Sequence, residues 1–446
     1  MRDIETTGVK NIFFLCSPNL GILDNWLPVL HSVKKNAPHI NVLLFLPKMS
    51  IAEQIRSNNV LVEIGDEVFS EVVMYWYDLE WKKADSMLDA KKMANSAVIE
   101  RFLYTYMQKF EAKKISVIPV LLKLLLKYLS RFVYCRQKFN CLGSWDNSVV
   151  VYDVYEETKN YRDVFFGLLA DGAKKYSISH GLDINCNPII DRFENVPALK
   201  NALVYLFSEA EVEYYRRSFG ISEEKMRIVG IPRHDDDWVR LVQRRSFENS
   251  SDGFSIDDQQ VVLFSRSLSS YLPRERKETA LRLIKKIIID RYGFRLIIKL
   301  HPKETSFIHM FYEIFGKDNL NKTWKISELH PFALAKSCRF AIVFYSGVSI
   351  DMNYLGVPVI EYLDMNGLEE HDNQQSLRVN GNPCFSYRYL GFVYGASNEI
   401  ELEQAIDACV TDTENLKKVF REKYEDYFPK DNNLSNAIAK KILTDS

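Results

Sequence analysis

Charge of neither sign is in surplus in this chain: 58 Lys and Arg stand against 59 Asp and Glu over 446 residues. With no net basic field, general nucleic-acid binding is disfavoured. Cysteine is sparse and unpatterned. The seven residues at 16, 135, 141, 186, 338, 384 and 409 are odd in number and form no CxxC. That argues against a disulfide framework and a zinc site, and fits a reducing cytoplasm. No uncharged apolar run approaches membrane-spanning length. The opening MRDIETTGVK is polar where a secretory signal would be apolar, so a cytoplasmic location is expected. No repeat of fixed period is present. What the chain does have is 47% hydrophobic residues and a length that suits two domains.

The stretch from Phe294 to Asp364 organises the rest. FRLIIKL reads as a buried strand that stops at His301-Pro302-Lys303, and FAIVF as a second that breaks at Tyr345-Ser346-Gly347. The short helix SIDMNYLG and a strand around VPVIEY follow. Continuous apolar strands alternating with helices predict βαβ units and a parallel sheet covered on both faces. Ligands of such sheets sit just outside the carboxyl ends of the strands. HPK and YSGVS both occupy that place. SGVS also opens a helix, whose free N–H groups favour a phosphate. Either element alone reads as a simple strand stop or helix start; two in one sheet point to a ligand.

The amino-terminal half shows the same rhythm. NIFFLC is a strand, SPNLGILDNW a loop entering a helix, NVLLFLP the next strand, and VLVEIG the apolar run after it. Asp24 then lies near a strand's carboxyl end. It is a candidate for a polar ligand, or an acidic helix-start residue. From Lys83 to about Lys138 the pattern is helical, an insertion in the α/β alternation. Beyond it, SVVVYDVYEE ends a strand with Asp153, Glu156 and Glu157. Carboxylates leaving a sheet serve either as acid–base groups or as a solvated loop. KKYSISHG gives a strand ending at His180, and MRIVGIPRHDDDW closes the half with Arg233, His234 and Asp235 past a short strand. Residues 246–260 are polar and aperiodic, an interdomain linker. VVLF then opens the second domain and leads into a Ser-rich loop with Arg266, Ser267 and Ser269, candidate phosphate contacts.

In order, GIPRHD, KLHPKE and YSGVSIDMNYLGVPVIEY resemble the GT-B glycosyltransferases of bacterial surface-polysaccharide assembly. More narrowly they resemble CMP-Kdo-dependent Kdo transferases of capsule, O-antigen and lipopolysaccharide synthesis, and more distantly CDP-glycerol glycerophosphotransferases. The resemblance spans about the last two-thirds of the chain. It departs from the glycerophosphotransferases at Ser179-His180-Gly181, where those enzymes carry a Trp-His pair.

It implies an α/β fold of GT-B type: two Rossmann-like parallel-sheet domains facing a cleft, with a helical insertion in the first. The expected limits are 1–245 for the acceptor-side domain with its insertion at about 83–138, and 246–260 for the linker. The nucleotide-sugar domain would span 261–410, and the helices of 411–446 would pack back toward the first domain. The implied activity transfers a sugar acid, Kdo from CMP-Kdo, to a lipid-linked or oligosaccharide acceptor; the resembling Kdo transferases include retaining enzymes, and an inverting single displacement stays open. The alternatives are a CDP-glycerol-type transfer or a sugar epimerase on the same fold. No cofactor or metal is implied, and no nucleic-acid partner.

Departing CMP needs stabilisation of negative charge, for which Lys299, His301, Lys303, Ser346, Gly347 and Ser349 are suited. The sugar carboxylate needs a cation, Arg233 or Arg266. Glu361 would accept the ribose hydroxyls, as its place in the resembling enzymes implies. Asp235 is the nucleophile candidate, with Glu156 or Glu157 assisting the acceptor and Asp24 and His180 on the acceptor side.

Within the insertion, Lys123, Lys127 and Arg131 fall at four-residue steps on an otherwise apolar helix. This is either a core helix with one solvated edge or a peripheral contact with the inner membrane face. Changing the three to Gln should release the protein from anionic vesicles in a co-sedimentation assay. Unchanged binding would retire the membrane contact.

Overall fold

The computed structural model describes residues 8–16, 20–46, 58–76, 80–84, 87–89, 92, 119–122, 124–125, 147–153, 173–182, 202–248, 260–365, 376–379, 382–429, 431 and 433–444. The first sheet is built from β1 (Asn11–Leu15), β2 (Asn41–Leu46), β3 (Glu71–Trp76), β4 (Glu80–Ala84), β5 (Ser148–Asp153), β6 (Lys174–Ile178), β7 (Ala202–Leu206) and β8 (Met226–Ile228). Its order is β4-β3-β2-β1-β5-β6-β7-β8. The second contains β9 (Gln260–Phe264), β10 (Arg295–Lys299), β11 (Trp324–Ile326), β12 (Phe340–Val343), β13 (Val359–Tyr362) and β16 (Tyr394–Ala396), in the order β11-β10-β9-β12-β13-β16. Between β13 and β16 a small hairpin pairs β14 (Ser376–Val379) with β15 (Asn382–Phe385).

The central strands are parallel and buried on both faces, which is why NIFFL, SVVVYD and QVVLF read as unbroken apolar runs. In each sheet the chain builds outward on one side and then crosses to the other. The reversals fall between β1 and β5 and between β9 and β12. Such switch points leave a crevice at the carboxyl ends of the strands.

Of the stretch read as helical from Lys83, Lys83 and Ala84 close β4, antiparallel to β3 with Val72 opposite Ala84, and most of the remainder lies outside the described residues. Only three residues separate Trp76 from Glu80, too few for a crossover, so the chain can only return antiparallel. The apolar run VLVEIG lies in the helix Asn59–Val68. Its buried residues Val60, Leu61, Ile64 and Val68 recur at helical spacing.

Two compact units emerge. The first comprises 1–180, 201–205 and 434–446, and the second 181–200 and 206–433. Residues 206–245 therefore cluster with the second unit. Within the first, helix Leu434–Thr444 packs on helix Leu20–Asn36, and Asn36 Nδ2 donates to Asn436 Oδ1 at 2.8 Å. The second unit retains helix Thr413–Tyr427. Helix Asp236–Glu248 covers the start of the expected linker, and 249–259 lie outside the described residues. Lys123, Lys127, Arg131, Glu156 and Glu157 also lie outside them. Among the described residues, no helix is long and apolar enough to cross a membrane.

Helix Leu20–Asn36 comes very close to the end of β6. A Cβ on Gly21 would stand 2.4 Å from the His180 carbonyl oxygen. Gly21→Ala gains about 1 kcal/mol of helix propensity. The clash is with backbone, which cannot swing aside, and overpacking costs about 1–3 kcal/mol. Denaturant melts should therefore show net destabilisation; a more stable variant would contradict the close approach.

Candidate functional site

In the second unit, four parallel strands, β10, β9, β12 and β13, deliver chemistry at their carboxyl ends. Beyond β9, Arg266 donates from Nη1 to the Tyr345 carbonyl, and its guanidinium lies 5.4 Å from the Tyr271 ring centre and 5.3 Å from that of Tyr345. Ser267 follows in the same half-buried loop. At the end of β10, Lys299 donates to the Glu328 carbonyl at 2.8 Å. Burial lowers its ammonium to about 8, against the attraction of Glu328. His301 comes two residues later, and its backbone N–H donates to Glu304 Oε2 at 2.8 Å. Lys303 occupies the turn Pro302–Phe307.

Beyond β12 the backbone is strained. Tyr345 has φ 77°, a left-handed conformation that costs an aromatic residue about 1–3 kcal/mol. It is held by stacking on Phe385, with ring centres 4.0 Å apart, and by the bond from Arg266. This sharp bend turns Ser346, Gly347 and Ser349 over the strand end. Ser346 Oγ accepts from Val348 N–H at 3.4 Å, and Ser349 is fully buried with no partner for its Oγ. The helix Val348–Tyr354 that follows has only seven residues, so its dipole adds little and the cationic side chains carry the attraction for anions. Gly347 is at φ −58°, and a Cβ there would meet only the Tyr387 hydroxyl, at 3.6 Å. The position does not demand glycine.

Glu361, at the end of β13, is fully buried. Its Oε1 accepts from Arg388 Nε at 3.0 Å, while Oε2 has no hydrogen-bond partner. Burial raises its carboxyl above the usual range, opposed by Arg388 and Arg266. Arg388 also donates to Ser397 Oγ and to the Glu361 and Ala396 carbonyls. Arg266, His301, Ser346, Ser349 and Glu361 thus belong to neighbouring strand ends of one sheet.

Arg233 and Asp235 belong to a different cluster in the same unit. Arg233 Nε donates to Asp351 Oδ1 at 2.9 Å, and His234 Nε2 meets the same oxygen at 2.7 Å. A carboxylate can only accept, so Nε2 carries a proton, and Nδ1 lies 2.7 Å from the Tyr424 hydroxyl. Tyr354 stacks on the His234 ring at 4.5 Å and donates to Asp236. Burial alone would raise Asp351, but Arg233 and His234 together hold its carboxyl below the ordinary value. Asp235 is 5% exposed and precedes the helix Asp236–Glu248, where its carbonyl accepts from Val239 N–H.

In the first unit, His180 and Asp153 stand at the ends of the adjacent strands β6 and β5. His180 Nδ1 lies 2.7 Å from Asp153 Oδ2, and the His180 backbone N–H donates to Oδ1 at 3.3 Å. Asp153 is fully buried and His180 about one-third exposed. Asn25 Nδ2 donates to the Ser179 carbonyl and steadies the same turn. The aspartate fixes the proton on Nδ1 and makes Nε2 the basic nitrogen. Asp24 lies in the first turns of helix Leu20–Asn36. The residues 154–172, with Glu156 and Glu157, are outside the described set.

Sequence reasoning passed over Glu304, Lys277, Arg388 and Asp351. Glu304 had a signal, three residues after His301 in HPKE. Lys277 and Arg388 had none, being single charges within mixed polar segments.

No protein-family model and no curated sequence matches this chain. Among solved structures it is similar to UDP-GlcNAc 2-epimerase from Methanocaldococcus jannaschii, at 16% identity and TM-score 0.53, over 98% of this chain and 100% of that one. It is also similar to the wall teichoic acid polymerase TagF, at 10% identity and TM-score 0.52, over 98% of this chain and 90% of that one. One structure of the epimerase is a complex with UDP-GlcNAc and UDP, and one of TagF contains CDPG. At these identities the likeness establishes a shared fold of two Rossmann-like α/β units.

Asp351 gives a test of the ion cluster. A carboxyl held low in the folded state contributes stability that is present above its unfolded value, about 4, and is lost as pH falls through the folded one. Asp351→Asn should cost about 3–5 kcal/mol near neutrality. The gap in Tm between it and wild type should close on acidification below about pH 4. A gap independent of pH would contradict the buried ion pair.

Proposed function

We propose that the protein is a transferase that takes a nucleotide-linked donor at the carboxyl ends of β9, β10, β12 and β13. The observation that carries this reading is the convergence of Arg266, Lys299, His301 and the Ser346–Ser349 turn at the switch point of a parallel sheet. Such a set suits a phosphate group whose charge grows as a bond breaks. The donor we favour is a CMP-linked sugar acid of the Kdo type, because it presents two anions, a phosphodiester and a carboxylate, and the strand ends offer several cations. The acceptor we favour is a lipid-linked or oligosaccharide glycan of surface-polysaccharide synthesis.

In the transfer, the acceptor oxygen attacks the anomeric carbon, the bond from that carbon to the CMP phosphate oxygen breaks, and CMP departs with the electron pair. The acceptor proton needs a base. We assign it to Asp235, which belongs to the same unit as the donor strand ends. A retaining reaction would instead ask Asp235, 5% exposed beside the Arg233–His234–Asp351 cluster, to reach the sugar. Contact with anionic lipid remains part of the proposal. Val120, Leu121, Leu124 and Leu125 are exposed apolar residues in the segment that carries the basic stripe.

A thermal-shift panel of CMP, CDP, UMP and UDP tests the donor, since a ligand at 100 times its Kd stabilises the native state by about 2.7 kcal/mol. The expected result is a rise in Tm with CMP. A response to CDP alone would move the reading to a CDP-glycerol-type transferase, and to UDP alone toward an epimerase. No response to any of the four would overturn it.

A further inference from the structure

Beneath the candidate donor site lies a buried ion pair that none of the roles above uses. Lys277 and Glu304 are each 1% exposed, and their ammonium and carboxylate are in direct contact. Lys277 comes from helix Arg274–Ile284 and Glu304 from the turn after His301. Burial pulls the Lys277 ammonium down to about 7. Their remaining bonds are few and directed. Glu304 Oε1 accepts from Ser265 Oγ at 3.1 Å, and Oε2 accepts from the His301 backbone N–H at 2.8 Å. Lys277 Nζ donates to the Arg266 carbonyl at 2.6 Å and lies 5.4 Å from the centre of the Phe311 ring. The turn is closed by Glu304 N–H donating to the His301 carbonyl, and Ser265 N–H donates to the Lys299 carbonyl.

A buried ion pair is poor at stabilising a fold, because desolvating two charges cancels most of their attraction; hydrophobic residues of the same volume often do as well. What this pair does supply is geometry. Three of its partners are Ser265, Arg266 and His301, the residues where two neighbouring strands give way to the anion-facing loops. Holding a cationic loop to within a fraction of an ångström is what an anion site requires.

We propose that Lys277 and Glu304 are a positioning pair that sets Arg266 and His301 for the anionic group of the donor. The inference rests on the donor-site reading above. Neither residue touches the ligand; each acts through the backbone of a residue that does.

The test is titration calorimetry with CMP and CDP on the full chain and on Lys277→Met/Glu304→Gln, which removes both charges and nearly preserves volume. The expected result is a Tm within a few degrees of wild type and a Kd at least tenfold weaker. A folded variant that binds as tightly as wild type would overturn the positioning role. Should the double variant not fold, Glu304→Asp keeps the charge but shortens the reach. It cannot hold Lys277 and the His301 N–H together, so it too should bind at least tenfold more weakly, and unchanged affinity would again overturn the proposal. If wild type binds neither nucleotide, the donor-site reading falls and the positioning role falls with it. If wild type binds and the variants bind equally, only the positioning role falls.

Discussion

The carboxylate of Asp351 is the constraint on which the second unit's strand-end chemistry depends. The helix that carries it, Val348–Tyr354, is far too short to hold itself together in water. Its place is fixed from outside. Arg233 and His234 converge on Asp351, His234 stacks on Tyr354, Tyr354 donates to Asp236, and Arg421 donates to the Tyr354 carbonyl. Asn353 adds a bond to the Phe392 carbonyl at 2.7 Å. Ser346 and Ser349 lie at the other end of the same short element. Whatever order the Ser346–Ser349 turn has is therefore inherited from a buried ion cluster one helical turn away.

This explains a division of labour inside GIPRHDDDW. The motif looks catalytic because it gathers Arg, His and three acids past a strand end. Arg233 and His234 spend hydrogen bonds on Asp351, and Asp236 spends one on Tyr354. These side-chain bonds of Arg233, His234 and Asp236 reach residues more than a hundred positions later. By contrast, His301 and Arg266 are held through their backbones, by Glu304 on the His301 amide and Lys277 on the Arg266 carbonyl.

The framework was legible in the sequence because buried parallel strands are written as short continuous apolar runs. FRLIIKL, FAIVF and SVVVYD each became a central strand, and HPK and YSG lie at strand ends because Pro and Gly stop such runs. VLVEIG could not be assigned from its pattern, because a six-residue apolar run has no length with which to separate strand from buried helix. The site was half legible. Its positions relative to strand ends could be read, but the partners could not. Asp351 sits 118 residues from Arg233, and Arg388 27 residues from Glu361, and no local pattern encodes either meeting. Glu304 is the exception, since a carboxylate three residues past a histidine at a turn can cap that histidine's amide.

Charge balance gives the last step. A chain with 58 basic and 59 acidic residues has no long-range field with which to gather anions. Under the proposed function, recognition of a phosphate has to be local and prepared in advance. Arg266 is built for that: its guanidinium rests against the faces of Tyr271 and Tyr345, and one N–H is anchored on the Tyr345 carbonyl. Half-removed from water, such a cation attracts an anion more strongly than one on an open surface. The nearby acid that would oppose it, Glu361, is answered by Arg388 and pushed by burial toward its neutral form. The strained turn at Tyr345 belongs to the same arrangement. The 1–3 kcal/mol stored there is offset by stacking on Phe385 and by the Arg266 bond. The contacts that hold the strain are also the contacts that aim the cation.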